Sequence, residues 1–265
     1  MTMNRLACAA AACLVSTLAV GAVARDVAGP AGYLAPGAFD VLAVLPPAPR
    51  TGDARAAADR AIFAATRALK DTPRWQMATN DVKLAPDDLF RDFSCAAGVT
   101  MTPQTAPRTA TLIRRALTDT GAQSGTAKTF YKRLRPFQID TGPICQPAEE
   151  LKGSYDYPSG HTTAGWTVAT LLARLMPDQA TAILARGRAF GESRIVCGVH
   201  NASAVEAGRL TAAATLTAMA DDPAFVADLA AARAEIAALR GAATTPKPDA
   251  ARCAAEATLV AQRIY

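Results

Sequence analysis

From residue 53 onward apolar residues recur at helical spacing, and each run is bounded by a Pro, Gly, Ser or Asp able to start or stop a helix. Residues 56–69 place Ala58, Ile62, Ala65 and Leu69 on one face. Pro86 opens a second helix carrying Leu89, Phe90 and Phe93 inward toward Cys95, with Asp87 and Asp88 in its first turn, where negative charge is favoured. Pro107 opens a third, in which Ala110, Leu112, Ile113 and Leu117 form the buried stripe and Arg114 and Arg115 face water. Gly121 and Gly125 interrupt it, and helical character resumes over 127–134 until Pro136 removes a donor and ends the run. Ser159 is placed to cap a helix over 162–176, and further helices are predicted over 179–193, 202–219 and 225–239. The stretch 75–83 reads as polar and irregular. Strand alternation is almost absent, so the predicted fold class is all-α.

The N-terminal residues have a different pattern. One basic residue, Arg5, precedes an uncharged run over 6–24 that ends in Ala22-Val23-Ala24, directly before Arg25-Asp26. This is the layout of a secretory signal peptide covering 1–24, with an uncleaved membrane anchor as the competing reading. Four segments are expected: the signal peptide at 1–24, a Pro- and Gly-rich extended arm at 25–52, a helical domain at 53–240, and a linker and tail at 241–265. Loss of the signal removes Arg5 and no acid, lowering the formal charge from +5 to +4. A balance this small suits an anionic small molecule, and the scattered basic residues give no tract for nucleic acid.

Export changes how the cysteines are read. Cys8 and Cys13 leave with the signal, and Cys95, Cys145, Cys197 and Cys253 remain. An even count in an exported chain favours two disulfides, with three pairings open. We favour Cys95 with Cys145 and Cys197 with Cys253. A zinc site is the weaker alternative, because no closely spaced Cys pair occurs.

Candidate chemistry concentrates in a few short stretches. The whole sequence contains two histidines, His161 and His200. His161 follows Pro158-Ser159-Gly160, at the start of a predicted helix whose free N–H groups form an anion site. His200 lies six residues after Arg194, and upstream stand Lys128 and Arg135-Pro136. Lys128 and Arg135, seven residues apart, are predicted on one face of one helix. Lys128, Arg135 and Arg194 would hold the oxygens of a phosphoryl group, with Ser159 and Gly160 closing the cradle. One histidine could then attack phosphorus while the other protonates the departing alkoxide, without a metal or other cofactor.

Lys128 with Arg135-Pro136, then Pro158-Ser159-Gly160-His161, then Ser193-Arg194 with His200, resembles the three-part signature of bacterial class A non-specific acid phosphatases. These belong to the type 2 phosphatidic acid phosphatase superfamily, whose helical core is shared with vanadium-dependent haloperoxidases. The resemblance runs from about residue 33 to 239. It implies a compact helical bundle at 53–240 and a periplasmic or secreted, metal-independent enzyme active at acid pH on phosphomonoesters. It also implies that His200 is the nucleophile and His161 the general acid, with Lys128, Arg135, Ser159, Gly160 and Arg194 binding phosphate. The implied partners are small phosphomonoesters, with no nucleic acid and no membrane after signal cleavage; self-association is left open. One position departs from the pattern: the Asp expected four residues after the nucleophile is Ala204, which predicts reduced turnover. Glu206 sits about 240° around a helix from His200 and is not expected to replace it. Two rival readings follow, a degenerate relative that binds phosphate without turnover, and a haloperoxidase holding vanadate in the same cradle.

Overall fold

The computed structural model describes residues 31–265, so the signal-peptide reading at 1–24 and the first residues of the arm lie outside the described residues. All regular structure among the described residues is helical: α1 (Ala54–Thr66), α2 (Pro73–Asn80), α3 (Pro86–Ala97), α4 (Pro107–Tyr131), α5 (Gly160–Leu175), α6 (Ala180–Val196), α7 (Ala202–Ala218), α8 (Pro223–Gly241) and α9 (Ala250–Ala261). Short 3-10 turns join several of them. None of these helices is long and apolar enough to cross a membrane.

Helix α5 lies at the centre, packed most extensively on α6 and then on α7 and α4. Its sequence permits this because small residues and Thr alternate with Val and Leu, so Thr162, Gly165, Thr167, Val168, Ala169 and Leu172 are all buried. Two glycines mark the closest approaches. A Cβ at Gly165 would lie 2.3 Å from the ring of Phe190 on α6, and one at Gly208 on α7 would lie 2.7 Å from the Ser159 carbonyl oxygen. Both crossings therefore bring a neighbouring helix against the N-terminal half of α5. Phe190 also stacks on Phe93 of α3, with ring centroids 6.1 Å apart. Burying each such ring contributes roughly 1.5–3 kcal/mol.

The arm residues of the described chain lie on the body. Tyr33 donates through its hydroxyl to Asp228 at 2.8 Å and through its amide to Asp119 at 2.6 Å. Val41 and Leu45 are buried in a cluster with Ala127, Tyr157, Ala204 and Ala207.

The structure differs from the sequence reading in several places, among them Arg115, expected to face water but paired with Asp228 at 2.7 Å and stacked on Tyr33. Helix α4 runs unbroken through Gly121 and Gly125, because its packing on α5, α7 and α8 outweighs the roughly 1 kcal/mol that each glycine costs. The stretch read as irregular contains α2, started by Thr72, whose hydroxyl accepts from the Trp75 amide, and by Pro73 at the first helical position. Its inward face carries Arg74, fully buried, whose guanidinium donates to Ser193 and the Ala189 carbonyl, both at 2.9 Å. A polar residue on the buried face conceals the helical period. Lys128 and Arg135 do not share a helix, since α4 ends at Tyr131 and Lys132 turns left-handed at φ 47°. The disulfides are Cys95–Cys253 and Cys145–Cys197, not the favoured pairing. Helix α9 returns across α3 and α6, bringing Cys253 to Cys95, while the loop before α5 crosses the end of α6 and brings Cys145 to Cys197.

Candidate active site

Lys128 occupies the last turn of α4 and donates through Nζ to the carbonyl of Tyr155. Burial, then the neighbouring Arg135, pushes its pKa down to about 7. Three residues after the left-handed Lys132, Arg135, itself extended, enters the same region from a different direction. Its guanidinium is fixed on several sides: Nε donates to the Ser154 carbonyl at 2.9 Å, Nη2 to the Ser154 hydroxyl at 2.9 Å, and Nη1 to the Val199 carbonyl at 2.8 Å. Nη1 also lies 2.9 Å from His200 Nε2.

The second segment is the start of α5. Ser159 caps it, its hydroxyl oxygen accepting from the Thr162 amide at 3.3 Å and the Thr162 hydroxyl at 2.9 Å. Gly160 and His161 follow as the first helical residues, with amides that the helix itself cannot pair. A Cβ at Gly160 would meet only Lys128 Cε and Ser124 Oγ, at 3.7 Å each, so packing within the protein does not demand glycine. It would instead fill space between the helix start and Lys128. His161 Nε2 lies 3.0 Å from the Val82 carbonyl, which can only accept, so Nε2 carries the proton and Nδ1 is the nitrogen left to exchange one. The preceding residue, Asp81, is buried and held by Arg186 at 2.6 Å and by the Ser193 hydroxyl at 2.6 Å, which fixes the segment that orients His161.

The third segment joins the end of α6 to the start of α7. Gly198 adopts φ +78°, the left-handed turn in which glycine is favoured, and the amides of Val199 and His200 both return to the Arg194 carbonyl at 3.2 Å. That turn is why a six-residue separation brings Arg194 and His200 together. Arg194 is fully buried; Nη2 donates to Gln146 at 2.7 Å, while Nε and Nη1 have no hydrogen-bond partner. Burial and then Arg135 push its pKa down to about 9.

The tautomer of His200 follows from its neighbours. A guanidinium can only donate, so Nε2 accepts from Arg135 and bears a lone pair, while Nδ1–H donates to Asp156 at 3.0 Å. Burial first, then Arg135, Lys128 and Arg194, holds His200 well below the ordinary histidine range. His161 is lowered too, by burial first and then by Arg194. Lys128, Arg135 and Arg194 all act on both imidazoles, and the Arg135–His200 contact and the closeness of Lys128 to Gly160 bring the three segments together. Among the described residues none of the three cations forms an ion pair with a carboxylate within 4.0 Å. Buried positive charge without a directly paired carboxylate, beside two neutral imidazoles, suits a phosphoryl dianion.

The PAP2 superfamily model matches residues 110–224, a span that contains all of these groups. The acid phosphatase of Zymomonas mobilis subsp. mobilis is 43% identical over 209 residues, covering 78% of this chain and 79% of the relative. The non-specific acid phosphatase of Salmonella typhimurium is 34% identical over 72% of this chain and 78% of its own length. For that of Providencia stuartii the figures are 35%, 77% and 83%. The chain belongs to the PAP2 superfamily, among its acid phosphatases.

In this PAP2 phosphatase the seven residues singled out by sequence fall at the three converging segments, and several groups beside them were not foreseen. Asp156 is fully buried against His200. Arg133 bridges it to Asp59 of α1, with Nη1 3.1 Å from Asp156 and Nη2 2.8 Å from Asp59. Ser124, one turn before Lys128 on α4, is buried with its hydroxyl unpartnered. Its spacing of four from Lys128 was the available signal. Glu206 is exposed on α7, a helix that starts only after His200. A surface cleft of about 850 Å³ lined by Pro47, Asp53, Arg60, Phe130 and Leu134 shares only Arg133 and Asn201 with the surroundings of His200 and touches none of the phosphate-site cations.

Proposed function

We propose that this chain is an exported acid phosphatase that hydrolyses phosphomonoesters through a phosphohistidine on His200. The observation that carries the reading is Arg194, a buried guanidinium with two unpartnered donors whose charge bears on His200, the histidine whose unprotonated Nε2 faces Arg135. Lys128, Arg135 and Arg194 hold the non-bridging oxygens, joined by the Ser159 hydroxyl and the amides of Gly160 and His161. Charged oxygens offer Arg135 a stronger acceptor than an imidazole, which frees the His200 lone pair.

The Nε2 lone pair then forms a bond to phosphorus, and the ester P–O bond breaks with its electrons leaving on the alkoxide. The alkoxide takes a proton from Nδ1 of His161. In the second half, His161 accepts a proton from water, the hydroxide attacks phosphorus, and the P–N bond returns its electrons to His200 as orthophosphate departs. The cations supply the charge that stabilises both transition states. Two disulfides and the apolar leader at 1–24 support export.

Rapid acid-free quenching during turnover of an aryl phosphate, followed by mass analysis of peptides, is expected to find one phosphoryl group on the peptide containing His200. Phosphate on another residue, or release of product with no covalent adduct under single-turnover conditions, would sink the mechanism.

The pH dependence follows from His161, which must carry a second proton to act as acid. Its pKa in the free protein is lowered below the ordinary ~6.5, so kcat/KM should fall as pH rises through that depressed value. Lys128 loses its charge next, near about 7, and steepens the decline. The limb in kcat should lie at higher pH, because a bound phosphoryl dianion favours the imidazolium. An alkaline limb of kcat/KM above about 8 would assign the proton to another group.

A further inference from the structure

Position 204, where the family pattern puts a carboxylate, is sealed in apolar surroundings. Ala204 is fully buried with Val41, Leu45, Ala127 and Tyr157, and its carbonyl accepts from the Ser159 amide at 2.9 Å. The carboxylate that His200 does meet comes from another segment. Oδ1 of Asp156 accepts from His200 Nδ1 at 3.0 Å and from the Asn201 amide at 3.1 Å. Oδ2 accepts from Asn201 Nδ2 at 2.9 Å and lies 3.1 Å from Arg133 Nη1. Burial pushes the Asp156 pKa up, but four donors and no nearby acceptor leave nowhere for a carboxyl proton to point. The geometry is that of an ionised carboxylate.

We propose that Asp156 is the positioning residue for His200, the duty having moved from the first turn of α7 to the loop that enters α5. The inference rests on His200 being the nucleophile. Asp156 holds Nδ1 protonated, which leaves the Nε2 lone pair for phosphorus, and it stabilises the positive charge that spreads over the ring as the N–P bond forms. Asp59, through Arg133, supports Asp156 from behind: it also accepts from the Ser203 amide at 2.9 Å and so ties the start of α7 to the same network. The loop gives three consecutive contributions, the Tyr155 carbonyl to Lys128, the Asp156 carboxylate to His200, and the buried ring of Tyr157 against Tyr131 of α4 at 5.1 Å. The loss of turnover expected from Ala204 does not follow, and the degenerate reading loses its main support.

The test begins with Asp156→Asn. The expected result is a fall in kcat of roughly a hundred- to ten-thousand-fold, with KM and inhibition by orthophosphate changed only a few-fold. A variant that keeps more than about a tenth of kcat overturns the proposal. Because Asp156 is buried and paired with Arg133, its replacement could prevent folding, so a second measurement uses the unaltered protein. With two histidines in the whole sequence, imidazole nitrogen-15 NMR resolves His200 directly. Nδ1 should carry the proton and Nε2 none across the active pH range; a proton on Nε2 overturns the proposal whatever the variant does. Trapped phosphohistidine together with undiminished Asp156→Asn turnover would reject Asp156 alone, whereas absence of the adduct would reject the nucleophile and leave the NMR tautomer as a structural fact.

Discussion

His200→Ala is expected to reduce phosphomonoester turnover by roughly four to six orders of magnitude, while orthophosphate still binds. The nucleophile is lost outright, and no second imidazole can take its place, since His161 is oriented by the Val82 carbonyl at 3.0 Å. The cations remain, and Arg135 loses the 2.9 Å contact to Nε2 that competes with phosphate for its guanidinium. Phosphate affinity should therefore hold or rise. Steady-state assays with an aryl phosphate and titration calorimetry with orthophosphate give the two numbers. Retention of a few per cent of kcat would point to another nucleophile, and collapse of phosphate binding would mean that His200 serves the cradle more than the chemistry.

The second large effect has opposite signs in two assays. Arg194→Met removes a fully buried cation whose Nε and Nη1 have no partner, and whose pKa burial has already pushed down to about 9. Exchanging unneutralised buried charge for an apolar side chain of similar length is expected to stabilise the phosphate-free protein by about 1–4 kcal/mol. The same change removes charge from the transition state and should cut kcat/KM roughly a hundred- to thousand-fold. Urea unfolding beside kinetics tests both. A variant that is less stable and equally active would show that Arg194 is a structural residue satisfied by Gln146 alone.

Sequence and structure agree where the signal is local or sparse. Ser159 caps α5, Pro86 and Pro107 open α3 and α4, and the rarity of histidine singles out His161 and His200 before any fold is known. What sequence could not supply depends on how distant segments meet. Arg74 lies on the buried face of α2 because Ser193 and the Ala189 carbonyl receive it there, and no periodicity in 73–80 anticipates that. The disulfide partners depend on where α9 and the loop before α5 cross the bundle, and spacing along the chain does not encode those crossings. Asp156 is the sharpest case: the resemblance points to a carboxylate four residues after His200, where the sequence has Ala204. It stands 44 residues upstream instead, in a loop whose path is fixed by the Arg133 carbonyl accepting its amide at 2.8 Å.

The Cys95–Cys253 bridge joins residues 158 apart, and Lys128, Arg135, Asp156, Ser159, His161, Arg194 and His200 all lie between them. A single proteolytic nick anywhere in that interval therefore leaves the fragments as one covalent molecule, with Lys128 and His200 still tethered even when the cut separates them along the backbone. Such a nicked copy keeps its shape for as long as its packing holds the two fragments in place. The same closed circuit makes the surface turns within it natural points at which to open the chain and relocate its ends.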